Sequence, residues 1–184
     1  MERREVVRLL GAIVAVPFLP PTAGTAENVA RRVHQAMQAG AARFRTFTPE
    51  QQATVASLAD AILPATDTPG ALDARVPEFV DHIVTEWATE AERQSLLAGL
   101  ADIHVLARQA GGNNLSALTS AQRTELLLTL DSQRNASRGA GYAWGQVKSL
   151  TVFGYFTSEV VQRDVLQTQM IFAAFEPCAP VDGR

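Results

Sequence analysis

Phe47-Thr48-Pro49-Glu50-Gln51-Gln52-Ala53-Thr54-Val55-Ala56-Ser57-Leu58-Ala59-Asp60-Ala61-Ile62-Leu63-Pro64 carries the start, the body and the stop of one helix. Thr48 stands where its hydroxyl can accept from a free backbone N–H. Pro49 takes the first helical position, and Gln51 can reach back to the amide of Thr48, which makes a capping box. Val55, Leu58, Ala59 and Ile62 recur at intervals of three and four, one face of a helix. Pro64 turns the residue before it away from helical geometry.

The same start recurs down the chain. Thr89 with Glu92 opens a run bearing Leu96, Leu97, Leu100, Ile103 and Leu106 or Ala107, which Gly111-Gly112 ends by supplying left-handed conformations. Thr119 with Gln122 opens Leu126, Leu127 and Leu130. Between the first two boxes, Val76-Pro77 begins a helix with Phe79, Val80, Ile83, Val84 and Trp87 on one side, after a Pro69-Gly70 loop. A fifth apolar helix runs from about Tyr142 to Thr157. Alternation of period two is missing beyond a few residues, so the pattern predicts an all-α bundle of about five helices followed by an irregular tail. The stretch from Arg31 to Phe47 reads as a helix or a loose linker. Residues 27–46 are thus expected to be a linker or short helix, and 47–181 the helical domain.

Composition narrows the class. The chain has 184 residues, 47% hydrophobic and 19% charged, with a net charge of −3 and a mean hydropathy of +0.02. These values suit one globular domain and exclude a disordered chain, a coiled-coil rod, a polytopic membrane protein and a basic nucleic-acid binder. One Cys excludes an intrachain disulfide and a cysteine-rich metal site.

The N-terminus reads as an export signal over residues 1–26. Arg3-Arg4, then Val6-Val7 and Arg8, precede an apolar run from Leu9 to Leu19 and the small-residue exit Ala23-Gly24-Thr25-Ala26. The paired arginines resemble a twin-arginine signal, with Glu2 where Ser or Thr is usual. That route carries folded cargo, often proteins that already hold a cofactor. Cleavage is expected after Ala26. Residues 1–26 take with them three Arg and two Glu, which leaves the remainder at −4, no footprint for nucleic acid.

Catalytic chemistry finds little support in the residues. His34, His82 and His104 form no metal-ligand spacing, and lone helical histidines are usually satisfied surface or core residues. Asp81 and His82 are adjacent, so on a helix they point apart. Gly139-Ala140-Gly141-Tyr142-Ala143-Trp144-Gly145 follows a leucine-rich helix rather than a strand. Its glycines therefore read as turn, helix-start and close-approach residues, not a dinucleotide loop. Asn114-Leu115-Ser116 and Asn135-Ala136-Ser137 are chance matches to glycosylation sequons. No catalytic, cofactor or metal residue is assigned.

Two segments carry a family resemblance. Phe47–Gln51 through Ala59–Pro64, with Pro69-Gly70-Ala71 and Val76–Asp81, resemble the first half of the gluconate 2-dehydrogenase subunit 3 family. Leu150–Glu159, above all Gly154-Tyr155-Phe156-Thr157-Ser158-Glu159, and the ending Glu176-Pro177-Cys178-Ala179-Pro180-Val181 resemble the second half. Pro177 stands where the family usually has Gly. The resemblance spans about Thr46 to Val181.

It implies a non-catalytic small subunit, without a cofactor of its own, whose partner is an FAD-bearing large subunit of the glucose-methanol-choline type oxidising a sugar, sugar acid or glycoside. Electrons would pass to a cytochrome c subunit or another membrane acceptor. The signal, Arg3-Arg4, would export both chains to the periplasm, with membrane contact only through that signal or the partners. Candidate interface residues are Gly154, Tyr155, Phe156, Thr157, Ser158, Glu159, Phe172, Phe175 and Cys178. Some have a plainer reading: Tyr155 and Phe156 fill the core, the apolar tail lies on its own bundle, and Cys178 is a free thiol rather than an interchain bond. The alternative function is a stand-alone exported helical binding or structural protein.

Overall fold

The computed structural model describes residues 23–41 and 44–167, together with Phe18. Among the described residues there are six α-helices and no strand, the all-α architecture the periodicity predicts. They are α1 (Ala23–Ala36), α2 (Pro49–Ile62), α3 (Val76–Trp87), α4 (Glu90–Gln109), α5 (Ser120–Ser132) and α6 (Gly139–Thr157). A wide turn, Met37–Ala41, continues α1. A 3₁₀ turn, Leu115–Ala117, precedes α5, and a second wide turn, Val161–Val165, follows α6.

All three capping boxes form. Each Thr hydroxyl accepts from the amide three residues on, and the Gln or Glu side chain accepts from the Thr amide at 2.8–3.0 Å. Each box satisfies two otherwise orphaned donors and contributes about 1 kcal/mol. Asn114 caps the 3₁₀ turn in the same way, its side chain accepting from Ala117 N at 2.9 Å.

Helix α6 is the axis of the bundle and touches each of α1 to α5, most broadly α4. Its apolar stripe, Ala143, Trp144, Val147, Leu150 and Tyr155, is buried together with Val55 and Leu58 of α2, Phe79 and Ile83 of α3, and Leu96, Leu100 and Ile103 of α4. Close approach needs small residues. A Cβ at Gly99 would lie 2.4 Å from Gly139 O and 2.7 Å from Ala143 Cβ. The α5–α6 corner is fastened by Asp131, which accepts from Lys148 Nζ at 2.6 Å and Trp144 Nε1 at 3.0 Å. Those two bonds, Lys148 first, hold its carboxyl down at about 2.

The structure refines several boundaries. Helix α6 starts at Gly139, three residues before Tyr142, because Gly139 (φ 78°) makes the turn into it. Gly111 alone supplies the left-handed residue after α4, at φ 97°. Gly112 is needed for space instead, since a Cβ there would meet Leu118 Cδ2 at 2.8 Å. The segment before Phe47 holds a helix of 14 residues, longer than its sparse apolar content suggests. Its buried residues, Ala26, Val29, Ala30, Val33 and Met37, form a stripe of small and medium side chains.

A buried carboxylate joins this N-terminal part to the bundle. Asp81 of α3, only 1% exposed, accepts from three successive backbone amides, those of Arg45 (2.8 Å), Thr46 (3.0 Å) and Phe47 (2.8 Å). It thereby fixes the strap between α1 and α2, which bends at Arg45 and Thr46.

Candidate functional site

The C-terminal end of α6 is where the sequence concentrates its most distinctive residues, and α1, α3 and the loop before α3 all converge there. Gly154 faces Phe79 of α3: a Cβ on Gly154 would lie 2.5 Å from Phe79 Cδ1. The close approach it permits is therefore made by this chain's own ring. Tyr155 is buried, and its hydroxyl donates to Pro69 O at 2.7 Å, which ties the Pro69-Gly70 loop to α6. Ser158 ends the helix; its hydroxyl donates to Tyr155 O at 2.7 Å and lies 3.4 Å from Val161 N.

Thr157 connects α6 to α1. Its hydroxyl donates to Phe153 O at 2.8 Å, so the 3.1 Å contact with His34 has the imidazole Nε2–H as donor. The His34 ring stacks on Phe79 at 4.9 Å between centroids and 20° between planes. Phe79 in turn meets Phe153 at 6.0 Å. His34, Phe79, Gly154 and Thr157 thus form one interlocked group across three helices.

Of the six residues Gly154–Glu159, Phe156 and Glu159 are exposed. Phe156, 37% exposed, stands edge-on to Tyr155 at 5.2 Å. Glu159 pairs with Gln38 and with Arg163 at 3.8 Å. Beside them lies a cavity of about 220 Å³ lined in part by His34, Gln38, Asp73, Arg75, Glu159 and Arg163. Arg75 holds a left-handed backbone, φ 55°, an uncommon conformation for a bulky side chain, and its guanidinium donates to Met37 O at 3.3 Å. The charged side chains at this cavity are engaged with each other or with backbone, an arrangement suited to holding α1 in place. Among the described residues no cluster of three His, Cys, Asp or Glu is placed to hold a metal ion. Arg3, Arg4, Phe172, Phe175 and Cys178 lie outside the described residues.

Burial pushes the His34 imidazole down to about 4 from its usual 6.5. Between those values an unfolded chain takes up a proton that the folded chain refuses. The stability is therefore whole above pH 6.5 and is lost as pH falls toward 4, by about 2 kcal/mol at pH 4.5. His34→Phe keeps a ring against Phe79 and removes the proton. Urea titrations at pH 7 and 4.5 should show a clearly smaller loss in that variant than in wild type. Equal losses would mean that His34 does not carry the effect.

The sequence reading of His34 as a satisfied lone histidine agrees with its packing, whereas Asp81 was weighed only beside His82 and its buried role was missed. The signal for Asp81 was available: it lies four residues after Pro77 and three before Val84, on the apolar stripe of α3, where a charge is out of place unless it has partners.

The fold and the region around Gly154–Glu159 define a small all-α domain whose distinctive segment closes one end of the bundle. The chain matches the family described as gluconate 2-dehydrogenase subunit 3 over residues 49–173, and it belongs to that family. Neither among curated proteins nor among solved structures is there a match.

Proposed function

We propose that this chain is the non-catalytic accessory subunit of a periplasmic dehydrogenase complex, exported by the twin-arginine route together with an FAD-bearing subunit that oxidises a sugar, sugar acid or glycoside. Membership of the family, over residues 49–173, carries this reading. The paired Arg3-Arg4 ahead of an apolar run supports the export role, since a signal for folded cargo on a chain without cofactor motifs suits a partner that has one. The large subunit would pass its electrons to a cytochrome c subunit or another membrane acceptor.

Phe156 and Glu159 are the exposed residues of the distinctive segment and would meet the large subunit, Glu159 by giving up its pairing with Gln38 or Arg163, with Phe172, Phe175 and Cys178 as further contacts. Gly154, Tyr155, Thr157 and Ser158 would act indirectly, by shaping the end of α6.

Co-expression with the gene-adjacent large subunit tests the proposal. The two chains should co-purify, and Arg3→Lys with Arg4→Lys should hold the flavin-dependent activity in the cytoplasm. Phe156→Glu should weaken co-purification while leaving the isolated chain folded. If the chains never co-elute and export of the large subunit ignores the arginine changes, the reading fails, and a stable partnerless monomer would identify a stand-alone exported protein.

A further inference from the structure

The small-residue exit of the export signal is built into a packed helix. Ala23-Gly24-Thr25-Ala26 is the stretch after which a leader peptidase is expected to cut. A cut there requires the backbone on both sides of the Ala26–Glu27 bond to leave helical geometry, so its protection depends on the hydrogen bonding and burial of that backbone. Yet α1 begins at Ala23 and places this bond in its first turns. Ala26 is 8% exposed, and Val29, Ala30, Val33 and Met37 continue its stripe into the core at intervals of three and four. Glu27, Asn28, Arg31 and Arg32 form the opposite, exposed face, with Glu27 and Arg31 paired at 3.6 Å.

Fraying of a helix end is common, but it does not suffice here. Extending residues 24–28 breaks the hydrogen bonds accepted by more than one turn of α1 and lifts Ala26 out of its seat. Further along, the helix is held at His34 by Thr157, at Met37 by Arg75 and at Gln38 by Glu159.

We infer that seated helix α1 shields the Ala26–Glu27 bond, so that the folded chain completes export with that bond intact and any trimming falls N-terminal to Ala23. The inference rests on the export reading in one respect: the twin-arginine route delivers a chain that has folded before a leader peptidase reaches it. A chain exported unfolded would be cut first and pack afterwards.

Intact mass and N-terminal sequencing of the periplasmic chain test this, with Asn28→Pro as the comparison. Asn28 is exposed, and proline there becomes the first residue of a shortened α1 while forcing Glu27 out of helical geometry. Wild type should lack a species that begins at Glu27. In Asn28→Pro that species should rise at least ~10-fold, as cleavage follows the open population. Wild-type chain beginning at Glu27 overturns the inference, and so does an Asn28→Pro chain that stays uncut after Ala26. The same comparison on the purified full chains with added leader peptidase reads the inference without export. Retention of both chains in the cytoplasm would count against the export reading alone.

Discussion

Gly99→Ala is expected to destabilise the chain by about 3 kcal/mol, the upper end of overpacking costs in a closed core. In an isolated helix the same change stabilises by about 1 kcal/mol, because alanine restricts the unfolded backbone and suits the helix. The sign reverses here because the new methyl would sit 2.4 Å from Gly139 O and 2.7 Å from Ala143 Cβ. Neither neighbour is the loose end of a flexible side chain. Relief requires α4 and α6 to separate, and these two helices share the broadest contact in the bundle. Gly40→Ala serves as the control. Gly40 has φ 80° and, among the described residues, no atom within 4 Å of where the methyl would sit, so its backbone preference is what opposes the change, at roughly 1 kcal/mol. Urea denaturation followed by circular dichroism separates the two. A midpoint for Gly99→Ala at or above wild type would mean that the helices do not approach this closely.

The helices were legible because their signals are local. Thr48, Thr89 and Thr119 announce starts that depend only on residues three positions away, and Leu96, Leu100 and Ile103 repeat with the helical period whatever they pack against. What approaches Gly99 and Gly154 was not readable, since the groups that exclude a side chain there come from Gly139 and Phe79, far along the chain. Helix α1 was half legible: it buries mainly Ala and Val, which leaves a faint stripe, and it depends on tertiary partners such as Thr157 and Arg75. At the candidate site the resemblance located the right segment without its division of labour. Only the packed structure separates Tyr155, whose hydroxyl is spent on Pro69, from Phe156, which faces out.

Asp81→Asn is expected to lower stability by about 3 kcal/mol and to loosen the N-terminal part of the chain ahead of the rest. The carboxylate is buried and uses both oxygens: Oδ1 accepts from Thr46 and Phe47, and Oδ2 accepts from Arg45. Asparagine fits the same space but replaces one oxygen with an N–H₂ group. Whichever way the amide turns, a donor then faces a backbone donor, and the charge that strengthened all three bonds is gone. Unsatisfied buried donors cost about 1–3 kcal/mol each, more where a charge-assisted bond is lost. Thr85 relieves little, because its hydroxyl oxygen lies 3.5 Å from Oδ2 and, while donating to Asp81 O at 2.7 Å, already accepts from the Thr46 hydroxyl at 2.7 Å. Asp102→Asn, on the exposed face of α4, should stay within about 0.5 kcal/mol of wild type. Hydrogen exchange supplies the sharper test, because the strap at residues 45–47 lies between α1 and α2. In Asp81→Asn the amides of Val29 to Met37 should exchange faster than those of α4 and α6, whereas a uniform rise would make Asp81 an ordinary contributor to global stability. A selective rise makes it the joint through which the bundle keeps hold of α1.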